Sequence, residues 1–352
     1  MATMRGAVLT APYEMRIEEM PRPEVDGDDI VILKNEGLGI CGSNLHWWNG
    51  GGSATRLLQF PMIGGGGHEY SGVVADVGAK VTAVKPGDRV AVDQFESTCC
   101  GTCVYCATGL FSQCLRRRQL GQEGFVEYLK LTEKGLYKIP DGIETHVASL
   151  VQPYACSVSA VRRAGLHGGE TVLVLGAGVL GLCAAGAAKA LGAEKVVITA
   201  KYDAQAALAP RFGADVVVPS DEPKLVARLL DEVGGCGADL VVETVGGHAP
   251  TLKQAMETVR PAGKVVVLGL WDELVPVDSW LAVLKEITFM FFLNHGVVGR
   301  KADYALCLEW MANRKVPAQD LVSHVMPLDQ IAEAFHLAAD KTKGAVKVIL
   351  RP

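Results

Sequence analysis

From Gly169 onward the chain repeats one pattern: an unbroken apolar run, a turn, then a stretch with helical spacing. The runs are TVLVLGAG, KVVITA, ADVVVP, ADLVVETVG and GKVVVLGL, and the helix-patterned stretches between them include Leu180 to Leu191, Asp203 to Phe212 and Lys224 to Val233. A strand apolar on both faces needs a helix layer on each side, because a face left in water forfeits its burial. The alternation therefore predicts an α/β domain with a doubly wound parallel sheet, and it restricts the fold more than any other feature of the sequence.

Gly176-Ala177-Gly178-Val179-Leu180-Gly181 closes the strand-like TVLVL and opens the first of those helices, with another strand starting at Lys195. A glycine fingerprint alone says little, but at a strand-to-helix junction it points to a dinucleotide. Gly176 permits the tight turn, Gly178 lets backbone approach a pyrophosphate, and Gly181 lets the helix pack close to the strand. Val179 and Leu180 begin the helix whose unpaired N–H groups face the phosphates. NAD-preferring sites place an acid about 20 residues on. Here the chain reads Val197-Ile198-Thr199-Ala200-Lys201-Tyr202, with no acid before Asp203. A carboxylate would repel a 2′-phosphate, whereas Ala200 followed by Lys201 accommodates one, so NADP is preferred over NAD. The competing reading of Lys201 is an ordinary solvated lysine.

At 352 residues the chain exceeds what one hydrophobic core usually serves, so two domains are expected. The first 150 residues carry short β-type runs punctuated by Gly and Pro: MRGAVL, EMRIEEM, DDIVILK, YSGVVADVG and DRVAV. That is the texture of a small, irregular β-barrel-like unit. Beyond the strand-like ITFMFFL at Ile287 to Leu293, a helix pattern over Ala302 to Asn313 and a strand–helix–strand tail over Leu321 to Leu350 break the doubly wound rhythm. The tail is expected to rejoin the first domain. A net charge of -5 offers no footprint for nucleic acid or an anionic membrane. ITFMFFL is far shorter than the roughly 20 residues of a membrane helix. The N-terminal stretch, interrupted by Arg5 and Arg16, lacks a signal-peptide core. A cytoplasmic protein that engages neither nucleic acid nor membrane is expected.

Five of the ten cysteines fall between Cys99 and Cys114, in CCGTCVYCATGLFSQC. A disulfide knot belongs to small exported domains, and this chain reads as neither. Cys100, Cys103, Cys106 and Cys114 follow C-x2-C-x2-C-x7-C on a loop broken by Gly101 and Gly109. Four thiolates so spaced can converge on one tetrahedral zinc. With no open coordination position, that ion holds a loop rather than doing chemistry. Cys99 is left over.

These motifs together carry a resemblance. They are Gly39-Ile40-Cys41-Gly42-Ser43, Gly67-His68-Glu69 with Gly72 and Gly78, the four-cysteine lobe, Glu123-Gly124-Phe125-Val126-Glu127-Tyr128 and the GAGVLG loop. The run from Met326-Pro327-Leu328 to Gly344-Ala345-Val346-Lys347-Val348 completes the set. In all of them the chain resembles the zinc-dependent medium-chain alcohol dehydrogenases, in the branch of polyol and threonine dehydrogenases. The resemblance implies a GroES-like, β-rich catalytic domain over 1–155 and 300–352, a structural-zinc lobe at 95–116, and a Rossmann cofactor domain over 156–299. It also implies a homodimer or homotetramer built through the cofactor domain, and two zinc ions per subunit, one structural and one catalytic. The catalytic ligands so implied are Cys41 and His68, with Glu69 either a ligand or directly beside the ligands and Gln152 at the position of a further donor. Ser43 is then the nearest proton relay and His46 its exit toward solvent. The implied activity is reversible oxidation of a secondary alcohol (polyol, cyclic or aromatic) to a ketone, by hydride transfer to a nicotinamide. Trp47 and Trp48 follow the Cys41 motif and suit a substrate with apolar faces, although tryptophans more often serve plain packing.

Two positions depart from the family pattern. Asn44 stands where members generally carry Asp, and Gln152 where this branch carries Glu. Each change removes an anion near the metal, so the catalytic zinc is expected to be held less tightly and to be the stronger Lewis acid. Cys156, four residues after Gln152, would share its helix face and could supply a substitute thiolate. The missing carboxylates also fit a zinc-independent, NADPH-dependent reductase of activated C=C bonds, although Cys41 and His68 argue against it. A reading of another class is a non-catalytic oligomeric nucleotide-binding protein.

Overall fold

Six parallel strands form the sheet that the apolar runs of the second half predict. Their spatial order is Val216–Pro219, Lys195–Ala200, Thr171–Leu175, Ala238–Glu243, Val259–Val267 and Thr288–Phe291. The first of them in the chain, Thr171–Leu175, is therefore central, and the order reverses at its carboxyl end, where such sheets bind ligands. Val172, Leu173, Val174 and Leu175 are all fully buried, as a strand covered on both faces must be. The computed structural model describes residues 2–51, 59–121 and 123–352.

The helix patterns fall close to where the spacing puts them, at Val179–Ala190, Leu225–Glu232 and Asp303–Ala312. The pattern over 203–212 differs. Its α-helix stops at Leu208 and a 3-10 turn runs over Ala209–Phe212. Pro210 has no N–H to give to the turn below, and its ring crowds that turn, so the regular helix cannot continue. Gly213, at φ 82, closes the segment.

The other sheet has seven strands. Val322–Pro327, Lys347–Arg351, Ile30–Gly39, Tyr70–Val77, Arg89–Val92 and Leu136–Lys138 lie in that order, with Tyr128–Thr132 also paired to Ile30–Gly39. Thr3–Ala11 pairs with Glu14–Pro21 and Met62–Ile63 in a small companion sheet. Leu33, Leu38, Val90, Phe125, Phe335 and Leu350 meet in one core. Because Ile349 and Leu350 pair with Gly39 and Leu38, the C-terminal tail completes the N-terminal sheet.

The chain thus divides into two units. One holds residues up to Gln152 with Gly299–Asn313 and Val322–Pro352, and the other holds Pro153–Val298 with Arg314–Leu321. That last segment groups with the dinucleotide-type sheet for a packing reason. Val316 is fully buried against Gly186 of helix Val179–Ala190, where a Cβ would come within 2.8 Å of it, and Asp320 pairs with Arg211.

Candidate metal centre and dinucleotide site

Strands Ile30–Gly39 and Tyr70–Val77 run antiparallel with Leu38 opposite Tyr70, so residues just beyond Gly39 meet residues just before Tyr70. Cys41 sits there as the extended N-cap of helix Gly42–Trp48, and His68 and Glu69 arrive from the other strand. One ligand atom from each of Cys41, His68 and Glu69 lies within 4.8 Å of the others. Gly39 makes the approach possible, since a Cβ there would stand 1.9 Å from Glu69 Oε2.

Asn44 ties the two ligand segments together. Its Oδ1 accepts the Cys41 N–H at 2.9 Å, and its Nδ2 donates to the Gly66 carbonyl at 2.7 Å. The same carbonyl lies 3.0 Å from His68 Nδ1, so it orients the ring and leaves the other nitrogen for a ligand. Gly66, at φ 73, could carry no side chain: a Cβ would be 2.3 Å from the Trp47 ring.

The donor atoms at this site suit a metal cation. Burial works against charge on both Cys41 and His68, yet each offsets that cost for the other. His68 is raised to about 9 by the Cys41 thiolate and then Glu69, and the Cys41 thiol is lowered by His68. Glu69, 0% exposed, sets Oε2 against Lys347 in a buried ion pair and leaves Oε1 without a hydrogen bond. Lys347, 2% exposed, also donates to Ile40 O at 3.0 Å. Nearby Lys341 is lowered to about 8, first by burial and then by Lys347. A thiolate, an imidazole and an under-bonded buried carboxylate fit a zinc ion that keeps a position open.

Ser43 and His46 lie half-buried on the helix that Cys41 opens. The two tryptophans divide. The Trp47 and His68 rings meet edge to face with their centres 6.0 Å apart, whereas Trp48 is buried in an aromatic cluster with Tyr13 and His336 and serves packing. Gln152 is buried near the start of helix Val151–Ala164. Cys156 shares that helix, but its thiol donates to Asn294 Oδ1 at 3.6 Å.

The four-cysteine loop converges as its spacing suggests. One sulfur from each of Cys100, Cys103, Cys106 and Cys114 lies within 4.8 Å of the others, with Cys103 and Cys106 at 3.4 Å and Cys100 and Cys106 at 3.9 Å. Gly101 and Gly109, at φ 72 and 74, turn the chain between them. The Thr102 N–H and hydroxyl hold the Cys100 thiol down at about 5, while burial pushes Cys106 up. Four sulfurs spaced this closely are the donor set of a closed zinc site. Cys99 is buried beside them, against Cys106.

In the other unit, the glycine loop is built as a phosphate cradle. Gly176, at φ 101, comes so close to Val245 that a Cβ would stand 2.5 Å from it, and a Cβ on Gly181 would lie 1.8 Å from Gly176 O. Gly178 caps helix Val179–Ala190, with Val179 and Leu180 in its first turn. Thr199 Oγ1 accepts the Gly176 N–H at 2.8 Å, which fixes the turn from the neighbouring strand. Ala200 is buried at the end of that strand, and exposed Lys201 follows, its ammonium 5.6 Å from the centre of the Tyr202 ring.

This pairing of sites has relatives. Residues 27–141 match the alcohol dehydrogenase GroES-like domain, and residues 179–313 match the zinc-binding dehydrogenase domain. Sorbitol dehydrogenase of Bacillus subtilis (strain 168) is 30% identical over 354 residues, covering 99% of this chain and 97% of its own length. The chain belongs to the zinc-type medium-chain alcohol dehydrogenases. Among solved structures, an Escherichia coli oxidoreductase/dehydrogenase of unknown specificity matches with a TM-score of 0.88 at 28% identity, covering 99% of both chains. The 2R,3R-butanediol dehydrogenase of Bacillus subtilis matches at 0.81 and 29%, again covering 99% of both. This dehydrogenase is accordingly an oxidoreductase of zinc and nicotinamide that interconverts alcohol and ketone. None of its described helices is long and apolar enough to cross a membrane.

Three features of the dehydrogenase escaped sequence reasoning: Lys347 as the partner of Glu69, Gly66 as the acceptor for His68, and Thr199 as the clamp on Gly176. Lys347 carried one faint signal, a lysine between Val346 and Val348 in an apolar strand pattern. Buried lysines are rare unless paired.

Proposed function

We propose that this dehydrogenase interconverts a secondary alcohol of the polyol, cyclic or aromatic class with its ketone. Zinc is held by Cys41, His68 and Glu69, with Gln152 as a further donor, and NADP(H) is used in preference to NAD(H). The observation that carries the reading is the Cys41–His68–Glu69 cluster, whose buried carboxylate leaves Oε1 without a hydrogen bond. Zinc bound there would supply Lewis acidity toward a carbinol oxygen, and a bound nicotinamide would supply the hydride acceptor. Lys347 fixes the Glu69 carboxylate, and the Gly66 carbonyl fixes the His68 ring. Ser43 and His46, on the helix that Cys41 opens, pass the alcohol proton outward. The Gly176–Gly181 loop holds the pyrophosphate, and Lys201 pairs with a 2′-phosphate where an acid would repel it. The names of the relatives favour the polyol class, because sorbitol and 2R,3R-butanediol both present a secondary carbinol beside another hydroxyl.

The second zinc belongs to Cys100, Cys103, Cys106 and Cys114. The enzyme works as a homodimer or homotetramer. Strand Thr288–Phe291 lies at the end of its sheet, and helix Ser279–Leu284 buries none of its residues. Around them Leu274 is 96% exposed and Trp280 72%, with Val283, Leu284, Phe291 and Leu293 also open. An apolar surface next to a free strand edge supports pairing with a second copy. All ten cysteines are free thiols, which supports a reducing, cytoplasmic setting.

Elemental analysis combined with turnover tests the proposal. Two zincs per subunit, oxidation of polyols and a lower KM for NADPH than for NADH are expected. One zinc per subunit, with reduction of enones but not ketones, would replace it with the C=C reductase.

A further inference from the structure

The surroundings of Asn44 suit an amide rather than a carboxylate. The side chain is 1% exposed and meets two partners of opposite character. The Cys41 N–H needs an acceptor and the Gly66 carbonyl needs a donor, and the two ends of one amide supply both at 2.9 and 2.7 Å. Gly64, Gly65 and Gly66 carry no side chains and all have positive φ, so only backbone contacts hold the segment that carries that carbonyl. The neighbouring Gly64 carbonyl is pinned by the Gly67 and Phe125 N–H groups, at 3.3 and 2.8 Å. The Gly66 carbonyl meets Asn44 and His68 instead.

We propose that Asn44 is the positioning residue of the metal centre. Through its amide it locks the Cys41 segment and the carbonyl that aims His68, and a carboxylate in its place loosens the metal instead of tightening it. The proposal rests on the zinc reading above. Aspartate would keep the cap on Cys41 but set an oxygen without a hydrogen 2.7 Å from the Gly66 oxygen. Two buried lone-pair surfaces at that distance repel, and the mobile partner is the glycine carbonyl. When it swings away, His68 loses the hydrogen bond that orients its ring. Loss of such a partner weakens metal binding by roughly 10- to 100-fold.

The test measures zinc affinity by competition with a chromophoric chelator on the purified full-length protein, alongside the visible spectrum after cobalt replaces zinc at the weaker site. Asn44→Asp is expected to weaken that site by roughly 10- to 100-fold and shift its thiolate-to-cobalt band, with the four-cysteine zinc and NADPH binding unchanged. Asn44→Ser, smaller and uncharged, covers the case in which the aspartate variant does not fold, and it should weaken the site as well. Wild-type affinity or better in Asn44→Asp, or wild-type affinity in Asn44→Ser, would overturn the proposal. A wild-type protein with zinc only at the four cysteines would instead overturn the zinc reading itself.

Discussion

Replacing Lys347 by methionine takes the ammonium partner away from the buried Glu69 carboxylate. The pair it breaks is among the most enclosed in the molecule, with side chains 2% and 0% exposed. Solvent screening therefore gives little relief. Removing one member of such a pair costs about 3–5 kcal/mol. The bond from Lys347 Nζ to Ile40 O disappears at the same time, which adds about 1 kcal/mol. For a domain of this size, each kcal/mol lowers Tm by roughly 2–4 °C, so the metal-free variant should melt about 8–24 °C below wild type. Zinc at Cys41, His68 and Glu69 gives the carboxylate a new cation, so the deficit should shrink when calorimetry is repeated with zinc present. Pairing Lys347→Met with Glu69→Gln removes the stranded charge and should recover most of the loss without metal, because a neutral pair carries no buried charge to desolvate. If the double variant melts no higher than Lys347→Met alone, the carboxylate is not the source of the damage and the electrostatic account of the site is wrong.

The remaining predictions concern metal retention and the dinucleotide loop. Under mild chelation the Cys41 site should lose zinc before the four-cysteine cluster, which has four thiolates and no open position; equal release rates in a timed assay would refute this. Gly181→Ala sets a Cβ 1.8 Å from Gly176 O, so NADPH binding measured by fluorescence should fall about tenfold or more, the equivalent of overpacking by 1–3 kcal/mol, with zinc content intact. Lys201→Ala should raise KM for NADPH by about tenfold or more while leaving KM for NADH alone, as loss of one charge-assisted hydrogen bond of about 1.5–3 kcal/mol requires. Equal effects on both cofactors would make Lys201 a plain surface lysine.

Asn44 reads differently in three dimensions than in sequence. In the sequence, Asn44 is a missing anion and implies a weakened metal site. In the fold, the His68 ring is aimed by the Gly66 carbonyl, and Asn44 holds that carbonyl in place. Trp48 shows the converse. Its neighbourhood to the Cys41 motif suggested a substrate-facing ring, but it packs under Tyr13 and His336 because the helix turns it inward, while Trp47 stays beside His68.

The parallel sheet, the phosphate loop and the convergence of four cysteines were legible along the chain because each depends on short-range information. Strand burial on both faces appears as an uninterrupted apolar run, the loop as three glycines within six residues, and the cluster as thiols within fifteen. The centre around Cys41 depends on contacts between distant segments. Lys347 reaches Ile40 across 307 positions of sequence, and only the registers that set Leu38 opposite both Tyr70 and Leu350 bring it beside Glu69. A buried charge is stable only with its partner present, and no local window of sequence names that partner. The residue types were thus visible from the start. Which of them oppose one another, and so where a cation is wanted, was decided by strand pairing.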